Sequence, residues 1–542
     1  LFRFGETVAW FDAGWKWERG RAVGKLTPRS HLVLAIATKA LPSDLKADFN
    51  YDAERAATGA YWNELLDRGM RLTVPEARIN HAARNLIIQN HILTKGDRLH
   101  YSAGNQYDQL YEAEGSDAML ALLAWGHVAD ARRLTPALLD FSRKGLENHQ
   151  ASFKLLDVCR LYWMTRDPTL LRDWRPRWEK ELRRLMDQRG AHGLLPPERY
   201  AGDISTPAQT VNANAHAWRA LRDFSVVLAE TGATEEAASV AKAAAAFRPV
   251  VQRAIEENAR TATTPPFVPV ALFADEPTHD PIVRTRIGSY WNIVIGYTIG
   301  SGIFPPGAPR ETWIPRYQEQ HGGLFLGMLR SGGDAFNFWT GEHRVNPLYG
   351  TRYALDTLRR DDPDRALVSF YGLLAQGFTR NTFVIGEGCT IDPVDARGRF
   401  FYCPPNSAGN AHFLSLLRNL VVQDWDADDD GRPDTLRLLH ATPRAWLEDG
   451  KIIRLEQAPT AFGTVSCTVK SELKAGRVIV DVSLPARHPP TRSRLRLRLP
   501  DGWRATYASL ADGTSLPLDA AGTADLSRLR ENQTITFLVA PR

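Results

Sequence analysis

The residues best suited to chemistry are a glutamate between two glycines, Gly386-Glu387-Gly388. Segments with helical periodicity lie before and after this stretch, which predicts that Glu387 stands in a loop between two helices. The two glycines carry no side chains, so backbone and a ligand can both approach the carboxylate closely. A carboxylate displayed in this way is suited to act as a general acid or base.

Two further carboxyl groups, Glu198 and Asp203, follow the segment Gly193-Leu194-Leu195-Pro196-Pro197. An acid–base reaction needs a second group, and the family resemblance given below implies that it comes from this loop. Arg199 is adjacent to Glu198, and a neighbouring cation lowers the pKa of a carboxyl group that should arrive protonated. We therefore favour Asp203 over Glu198 as the proton donor and keep both as candidates.

Other side chains could contact a bound ligand. Glu114 and Asp117 open a helix-forming segment, where acids serve as ordinary caps, and a ligand-contacting role for them is implied only by the family resemblance given below. The segment 290–292 (Tyr290, Trp291 and Asn292) predicts either a wall of a binding pocket or a core tryptophan beside a capping asparagine. Asn406 offers a hydrogen-bonding side chain at a helix start. Glu342, in a charged triplet, is a reserve candidate for catalysis or part of a solvated loop.

A separate acidic stretch has alternating carboxylates, Asp426, Asp428 and Asp430, followed by Gly431 and Asp434. A single loop that offers several carboxylate oxygens matches the preference of Ca²⁺ for hard ligands. The distal glutamate of an EF-hand is missing. The stretch predicts either a structural calcium site or a solvated acidic linker.

Three zones of different periodicity organise the chain. Residues 1–50 contain short apolar runs such as 31–37, and they predict the end of a β-domain and a linker. From 51 to 425 the apolar residues recur every three or four positions, which predicts helices. Residues 426–542 return to strands, with 477–484 alternating apolar and polar, and they predict an antiparallel β-sandwich.

The middle zone contains roughly a dozen predicted helices. Asp362-Pro363 illustrates a helix start, with a capping aspartate and a proline in the first turn. Long loops, for example 193–207, 303–313 and 381–405, separate consecutive pairs and are where binding sites are usually built. At about sixty residues for each pair, six helical hairpins arranged in a ring are expected. Typical buried faces are formed by Ala217, Trp218, Leu221, Phe224 and Leu228, and by Phe413, Leu416, Leu417 and Leu420.

The composition excludes several classes of protein. The 542 residues are 44% hydrophobic, yet no apolar run reaches the roughly eighteen residues that a membrane span requires. The net charge is +5 and the basic residues are scattered among acids, so we expect no nucleic-acid partner. Of the four cysteines, only Cys389 and Cys403 are close enough in sequence to suggest a disulfide, and free buried thiols are favoured.

The chain begins Leu1-Phe2-Arg3, with neither an initiating methionine nor an apolar leader. We expect a processed or trimmed form of a longer product. An extracytoplasmic location is slightly favoured, and the sequence does not indicate the oligomeric state.

Three patches in order resemble the six-hairpin glycosidase superfamily, which includes glucoamylase-like enzymes and α-L-rhamnosidases. They are the aromatic-acidic patch 111–119, the patch Gly193–Arg199, and Gly386-Glu387. The order of β-zone, helical hairpins and β-sandwich is similar as well. The resemblance implies a mainly α fold, an (α/α)6 six-hairpin toroid flanked by an N-terminal β segment and a C-terminal antiparallel β-sandwich.

The resemblance also implies a glycoside hydrolase that cleaves terminal sugars with inversion, and Glu387 as its general base. Inverting hydrolysis pairs that base with an acid about 6.5–9.5 Å away. Relatives place two glutamates after Gly-Leu-Trp, where this chain has Gly193-Leu194-Leu195 and then a proline, so the acid stays open between Glu198 and Asp203. A carbohydrate partner is implied, and no cofactor is needed for catalysis.

Two other classes of function remain open at this stage. Polysaccharide lyases and sugar epimerases share the helical toroid, but they use tyrosine, histidine or arginine groups to abstract a proton. A carbohydrate-binding protein without activity would retain the aromatic pocket. Products distinguish the first class, because elimination leaves an ultraviolet-absorbing double bond. A Glu387→Gln variant distinguishes the second class, because in a protein that only binds carbohydrate the substitution would leave the glycan affinity unchanged and there would be no turnover to lose.

Overall fold

The computed structural model describes residues 2–3, 6–28, 31–41, 50–103, 109–332 and 344–541. By its internal contacts the chain separates into two compact units, Leu1–Asp67 and Arg68–Arg542. The helical zone and the C-terminal strands therefore form one unit. The first predicted helix lies with the N-terminal strands.

The first unit is a small β structure followed by one helix. Residues Asp12–Gly14 form a turn, in which the Asp12 carboxylate accepts hydrogen bonds from the backbone of Gly14 at 2.9 Å and Val33 at 2.6 Å. The predicted strand near 31–37 is present as β5. The elements are β1 (Phe2–Arg3), β2 (Glu6–Phe11), β3 (Trp15–Glu18), β4 (Arg21–Gly24), β5 (Leu34–Leu41) and α1 (Tyr51–Asp67), in sheets β1-β2-β5 and β3-β4.

Thirteen further helices lie in the described part of the second unit. They are α2 (Ala77–Ile92), α3 (Glu112–Ala124), α4 (Val128–Asp140), α5 (Glu147–Thr165), α6 (Thr169–Asp173), α7 (Arg175–Asp187), α8 (Val211–Glu230), α9 (Thr234–Asn258), α10 (Arg286–Ser301), α11 (Trp313–Gln320), α12 (Thr351–Arg359), α13 (Pro363–Gly372) and α14 (Ser407–Val421).

Six of these helices form a closed inner ring. Helices α3, α5, α8, α10, α12 and α14 each pack on the next, and α14 packs on α3. The outer helices α4, α7, α9, α11 and α13 each pack on the inner helix that precedes them, and α2 packs on α14. An outer helix returns the chain between successive inner helices, so the inner helices run in the same direction. The predicted six-hairpin toroid is confirmed.

Local sequence explains why these helices form. Residues Ala217, Trp218, Leu221, Phe224 and Leu228 are all buried on α8. Burying an apolar stripe of this kind is the main stabilisation of a helix in a folded protein. Helix α13 begins as predicted at Asp362-Pro363, where the Asp362 side chain accepts a hydrogen bond from the backbone of Arg365.

Short strands in the second unit precede or separate the helices. They are β6 (Arg71–Thr73), β7 (Thr94–Lys95), β8 (Arg98–Leu99), β9 (Glu198–Ala201), β10 (Ile204–Thr210), β11 (Ala271–Leu272), β12 (Leu324–Phe325), β13 (Met328–Ser331), β14 (Arg344–Val345), β15 (Gly388–Thr390) and β16 (Phe401–Tyr402). Strands β9–β11 form one sheet, β12–β16 another, and β7–β8 a hairpin.

The C-terminal strands, together with β6, build a seven-stranded sheet, β24-β23-β26-β21-β20-β19-β6, and they also build a four-stranded sheet, β17-β18-β22-β25. Strand β21 has the predicted alternation of buried and less buried residues. One pair, β18 with β22, runs parallel, because the chain passes through the other sheet between these strands. The strands are β17 (Val422–Trp425), β18 (Thr435–Leu438), β19 (Ile452–Thr460), β20 (Gly463–Glu472), β21 (Arg477–Leu484), β22 (Arg492–Arg496), β23 (Trp503–Leu510), β24 (Ser515–Leu516), β25 (Thr523–Asp525) and β26 (Glu531–Pro541).

Two expectations from composition can be compared with the structure. Among the described residues, no helix has the length and apolar character needed to span a membrane. The four cysteines are buried and none of them forms a disulfide, so Cys389 and Cys403 are not paired in this way.

Candidate active site

Glu387 lies in the connection between α13 and α14, one residue before β15. Its backbone N–H donates a hydrogen bond to the carbonyl of Tyr402 at 2.8 Å. A Cβ atom on Gly386 would stand 2.3 Å from the same carbonyl oxygen. The glycine before Glu387 is therefore required by the close approach of the neighbouring backbone, and this contact fixes the position of the glutamate.

The Glu387 side chain is 7% exposed, and burial raises its pKa to about 8. The nearby carboxylates of Glu114 and Asp203 act in the same direction, since like charges disfavour ionisation. The hydroxyl of Tyr101 donates a hydrogen bond to Glu387 and lowers its pKa. Glu387 is thus a buried carboxyl group that can exchange a proton close to neutral pH.

Glu114 lies in the first turn of α3, and burial raises its pKa as well. The Tyr349 hydroxyl donates a hydrogen bond to Glu114 Oε1 at 3.2 Å, and Tyr349 immediately precedes α12. We call Glu387, Glu114 and Asp203 the carboxylate cluster.

Asp203, the third member, lies in the tight turn between β9 and β10 and is the most exposed, with 58% of its side chain accessible. Tyr290 donates a hydrogen bond from its hydroxyl to Asp203 Oδ2 at 3.0 Å, and Arg143 Nη2 lies 3.3 Å from Oδ1. The guanidinium of Arg286 lies over the Tyr290 ring and donates to the Asp203 carbonyl. Tyr290 and Arg143 therefore both approach this carboxylate as hydrogen-bond donors.

All six hairpins contribute to this region, either from the segment that leads into an inner helix or from the first turns of that helix. Tyr101 and Glu114 come from the first, Arg143 precedes α5, Asp203 precedes α8, Tyr290 lies near the start of α10, Tyr349 precedes α12, and Glu387 precedes α14. The N-terminal ends of helices carry partial positive charge. The ring therefore gathers carboxyl groups where its backbone dipoles favour negative charge.

Glu198, the other acid candidate, has a different environment. It is 6% exposed, and its Oε2 accepts hydrogen bonds from the backbone N–H groups of Asn148 at 3.1 Å and His149 at 3.3 Å. These groups belong to the first turn of α5, which lacks a side-chain cap of its own. Glu198 therefore holds the N-terminal end of an inner helix, and its catalytic role stays a prediction.

Two of the predicted ligand-contacting residues lie in the core. Trp291 is fully buried, and its indole N–H donates to the Val268 carbonyl at 2.8 Å. Asn292 is also fully buried and donates to the carbonyls of Gly323 and Arg330. Of the segment 290–292, the structure brings only Tyr290 to the carboxylate cluster.

The remaining predicted contacts have structural partners. Asp117 forms a two-point ion pair with Arg352, with one N–O distance of 2.7 Å, below the first turn of α3. Asn406 is fully buried and caps α14, accepting a hydrogen bond from the Gly409 backbone at 2.8 Å. Glu342 lies outside the described residues.

The predicted calcium loop is held by arginines and backbone amides. Arg222 pairs with Asp426 at 2.7 Å, and Arg492 with Asp428 at 2.5 Å and Asp434 at 2.9 Å. Asp434 also accepts hydrogen bonds from two backbone N–H groups, and the backbone N–H of Asp430 donates to Asp426 at 3.0 Å. These contacts neutralise much of the negative charge of the loop, and calcium binding there stays a prediction.

Sequence analysis did not identify Tyr101, Tyr349 and Arg143. Each stands alone in a loop, tens or hundreds of residues from the carboxylate it contacts, and no spacing rule links the two. Arg143 is the most consequential omission, because it is the cation that approaches Asp203.

No family model matches the sequence, and no curated protein matches it either. Solved structures do resemble the chain. An α-L-rhamnosidase from Dictyoglumus thermophilum superposes with a TM-score of 0.52 over 87% of this chain and 50% of its own length, at 8% sequence identity. The chain has the fold of the six-hairpin glycosidases. It spans about half the length of that rhamnosidase.

Two other solved structures are less similar. A rhamnosidase of Bacillus sp. GL1 has a TM-score of 0.47 at 14% identity, over 74% of this chain and 40% of its own. A bacterial glucoamylase complexed with acarbose has a TM-score of 0.45 at 12% identity, over 68% of this chain and 59% of its own. Only the first superposition is close enough to support a conclusion, and that conclusion concerns the fold.

Proposed function

We propose that the protein is a glycoside hydrolase that removes terminal sugars from oligo- or polysaccharides by acid–base catalysis. The observation that carries the proposal is the carboxylate cluster, which joins a buried glutamate to two further carboxyl groups at one end of a glycosidase-type toroid. Glycosidic bond cleavage requires one carboxyl group to protonate the leaving oxygen and another to act on water or the sugar. The solved structure whose fold this chain shares is named as an α-L-rhamnosidase.

Glu387 is assigned the role of general base. A base is most effective when its pKa lies near the working pH, and burial raises the pKa of Glu387 to about 8. The hydroxyl of Tyr101 donates to it, so the carboxylate has a partner that stabilises its ionised form. The fixed backbone at Gly386 supplies the positional accuracy that this role demands.

The acid is assigned to one of the two carboxyl groups that interact electrostatically with Glu387. Asp203 is favoured by sequence and is accessible, but Arg143 and Tyr290 both donate to it. Glu114 is partly buried, and desolvation raises its pKa, which is the property that a proton donor needs. The electrostatics of the site therefore support Glu114, and the position in the chain supports Asp203.

The dependence of the rate on the leaving group tests Glu114 and Asp203 as the acid. A variant that lacks the acid should lose turnover on alkyl glycosides, whose leaving groups require protonation, and keep much of it on dinitrophenyl glycosides, whose leaving groups do not. We expect this pattern for either Glu114→Gln or Asp203→Asn, and not for Glu387→Gln, which should be slow on both. Equal losses on both substrates for the first two variants would contradict an acid role for either residue.

The function itself is tested by turnover of a panel of α- and β-glycosides, beginning with rhamnosides and glucosides. Removing an acid or base typically costs about 10²–10⁴ in rate, so Glu387→Gln should lose at least that much. Asp395→Asn, in an exposed turn of the same loop, is the matched control and should retain full activity. Near wild-type turnover in Glu387→Gln would refute the assignment, and NMR of the first product anomer tests inversion.

A lyase with a tyrosine base fits the site less well. Burial, together with neighbouring carboxylates, raises the pKa of Tyr101, Tyr290 and Tyr349. A tyrosine that abstracts a proton needs the opposite shift. Release of an ultraviolet-absorbing product from an acidic polysaccharide would nevertheless favour this alternative over hydrolysis.

A further inference from the structure

A second group of polar side chains, outside the carboxylate cluster, joins the end of α2 to the start of α4. His91 lies in the last turn of α2, His127 directly precedes α4, and Asp130 lies in its first turn. One ligand atom from each of the three lies within 4.8 Å of the others. The two imidazole rings meet edge to face with centroids 4.8 Å apart.

These groups are suited to a cation by their hydrogen bonding. His91 Nε2 is buried and has no hydrogen-bond partner among the described residues. A buried polar atom without a partner is costly, so a ligand that satisfies it is favoured. Asp130 accepts a hydrogen bond from Arg133 at 2.7 Å through one oxygen, and a carboxylate can accept further partners. Burial also lowers the pKa of both imidazoles, so their lone pairs are available at neutral pH.

We propose that His91, His127 and Asp130 bind a divalent transition-metal ion, and that this ion is zinc. Two imidazoles and one carboxylate are ligands that zinc commonly takes, whereas calcium and magnesium prefer oxygen ligands alone. Zinc holds nitrogen and oxygen ligands at about 2.0–2.2 Å, which brings ligand atoms to about 3.3–3.6 Å from one another. The observed 4.8 Å needs only small rotations of the side chains to close.

The fourth position would be taken by water, because His91 and Asp130 are only partly buried. The ion would fasten the outer helix of the first hairpin to the outer helix of the second. Because the ligands come from two helices that are separated in sequence by all of α3, the ion would stabilise the folded ring and have little affinity for the unfolded chain. The proposal does not depend on the proposed function and assigns the ion no chemistry.

The test uses the full chain, freed of metal by a chelator and titrated with Zn²⁺ in a calorimeter. We expect one ion per chain, and at a hundredfold excess over Kd a rise of about 3 °C in the unfolding midpoint. Co²⁺ should give the visible absorption of a four-coordinate site with nitrogen ligands. His91→Gln should weaken zinc at least about tenfold. His81→Gln, at an exposed position on the same helix, is the control and should bind as the wild type does.

His127→Gln and Asp130→Asn extend the test, since either variant should weaken zinc even if the other fails to fold. Absence of stoichiometric binding to the wild type would overturn the proposal. Binding that is unchanged in both His91→Gln and Asp130→Asn would overturn it as well, because the ion would then lie elsewhere. The readouts are binding, spectrum and stability, so they stand whether or not the protein hydrolyses glycosides.

Discussion

Glu387→Gln should make the protein more stable, and by an amount that grows with pH. Glutamine has nearly the shape of protonated glutamic acid but carries no ionisable group, so the variant avoids the cost of placing a charge in the buried site. The cost in the wild type follows from the pKa, which is about 8 in the folded state and 4.5 as the ordinary value. A group whose pKa is raised on folding stabilises the folded state at low pH and loses that contribution as the pH rises to the folded pKa.

The stability difference between the variant and the wild type grows by about 1.4 kcal/mol for each pH unit between those two pKa values. At pH 4 both proteins carry a neutral side chain, and no difference is expected. At pH 7 the difference should be about 3 kcal/mol, and above pH 8 it should level off at about 5 kcal/mol. For a folded unit of this size the entropy of unfolding is about 1 kcal/mol/K. The unfolding midpoint of the variant should therefore be about 3 °C higher at pH 7 and about 5 °C higher at pH 9.

Differential scanning calorimetry of both proteins at pH 4, 7 and 9, with scan rate varied to check reversibility, measures the effect. Glu235→Gln is the matched control, because Glu235 is an exposed glutamate in the first turn of α9. It should stay within about 0.5 kcal/mol of the wild type at every pH. A Glu387→Gln midpoint that is lower than the wild type, or higher by the same amount at all three pH values, would show that charge burial does not dominate at this site.

Three further outcomes are expected. If Glu387 is the base, the rate of the wild type should rise with pH through about 8. Tyr101→Phe should move this rise to higher pH, because the hydrogen bond that the variant loses holds the pKa of Glu387 down. A rate that falls with pH instead would make Glu387 the acid. Gly386→Ala should reduce turnover by at least tenfold with little loss of secondary structure, because the new Cβ atom would collide with a backbone carbonyl. Unchanged kinetics would show that the loop can move to accommodate the Cβ atom. Asp424→Asn should lower the free energy of unfolding, measured in denaturant, by about 3–5 kcal/mol, because it leaves the charge of the fully buried Arg418 uncompensated. A decrease of less than about 1 kcal/mol would refute that reasoning.

The parts of the fold that depend on local pattern were predictable. The stripe on α8 and the cap at Asp362 specify helices directly, and both are present. The alternation in β21 specified a strand with one buried face. The parallel pair β18 and β22 was not predictable, because nothing local to either strand records which neighbour it will meet.

The candidate site divides in the same way. Glu387 could be chosen because glycines on both sides mark a crowded loop, a property of the local sequence. The environment of Asp203 could not be predicted from the sequence, because Arg143 contacts it from another hairpin. In sequence the cation next to an acid candidate is Arg199, beside Glu198, whereas in the fold Arg143 lies beside Asp203. Trp291 and Asn292 follow Tyr290 in sequence, but successive helical residues point in different directions, so only one of the three can face the cluster.

The inner ring has a consequence for folding. Each of the six hairpins supplies at least one side chain near the carboxylate cluster, so no subset of hairpins contains the whole constellation. Contact between Glu387, in the last hairpin, and Tyr101, in the first, exists only when α14 has docked against α3 and the circle is complete. Recovery of the proposed hydrolase activity during refolding would therefore report the joining of the two ends of the toroid, a late event with a long loop to close.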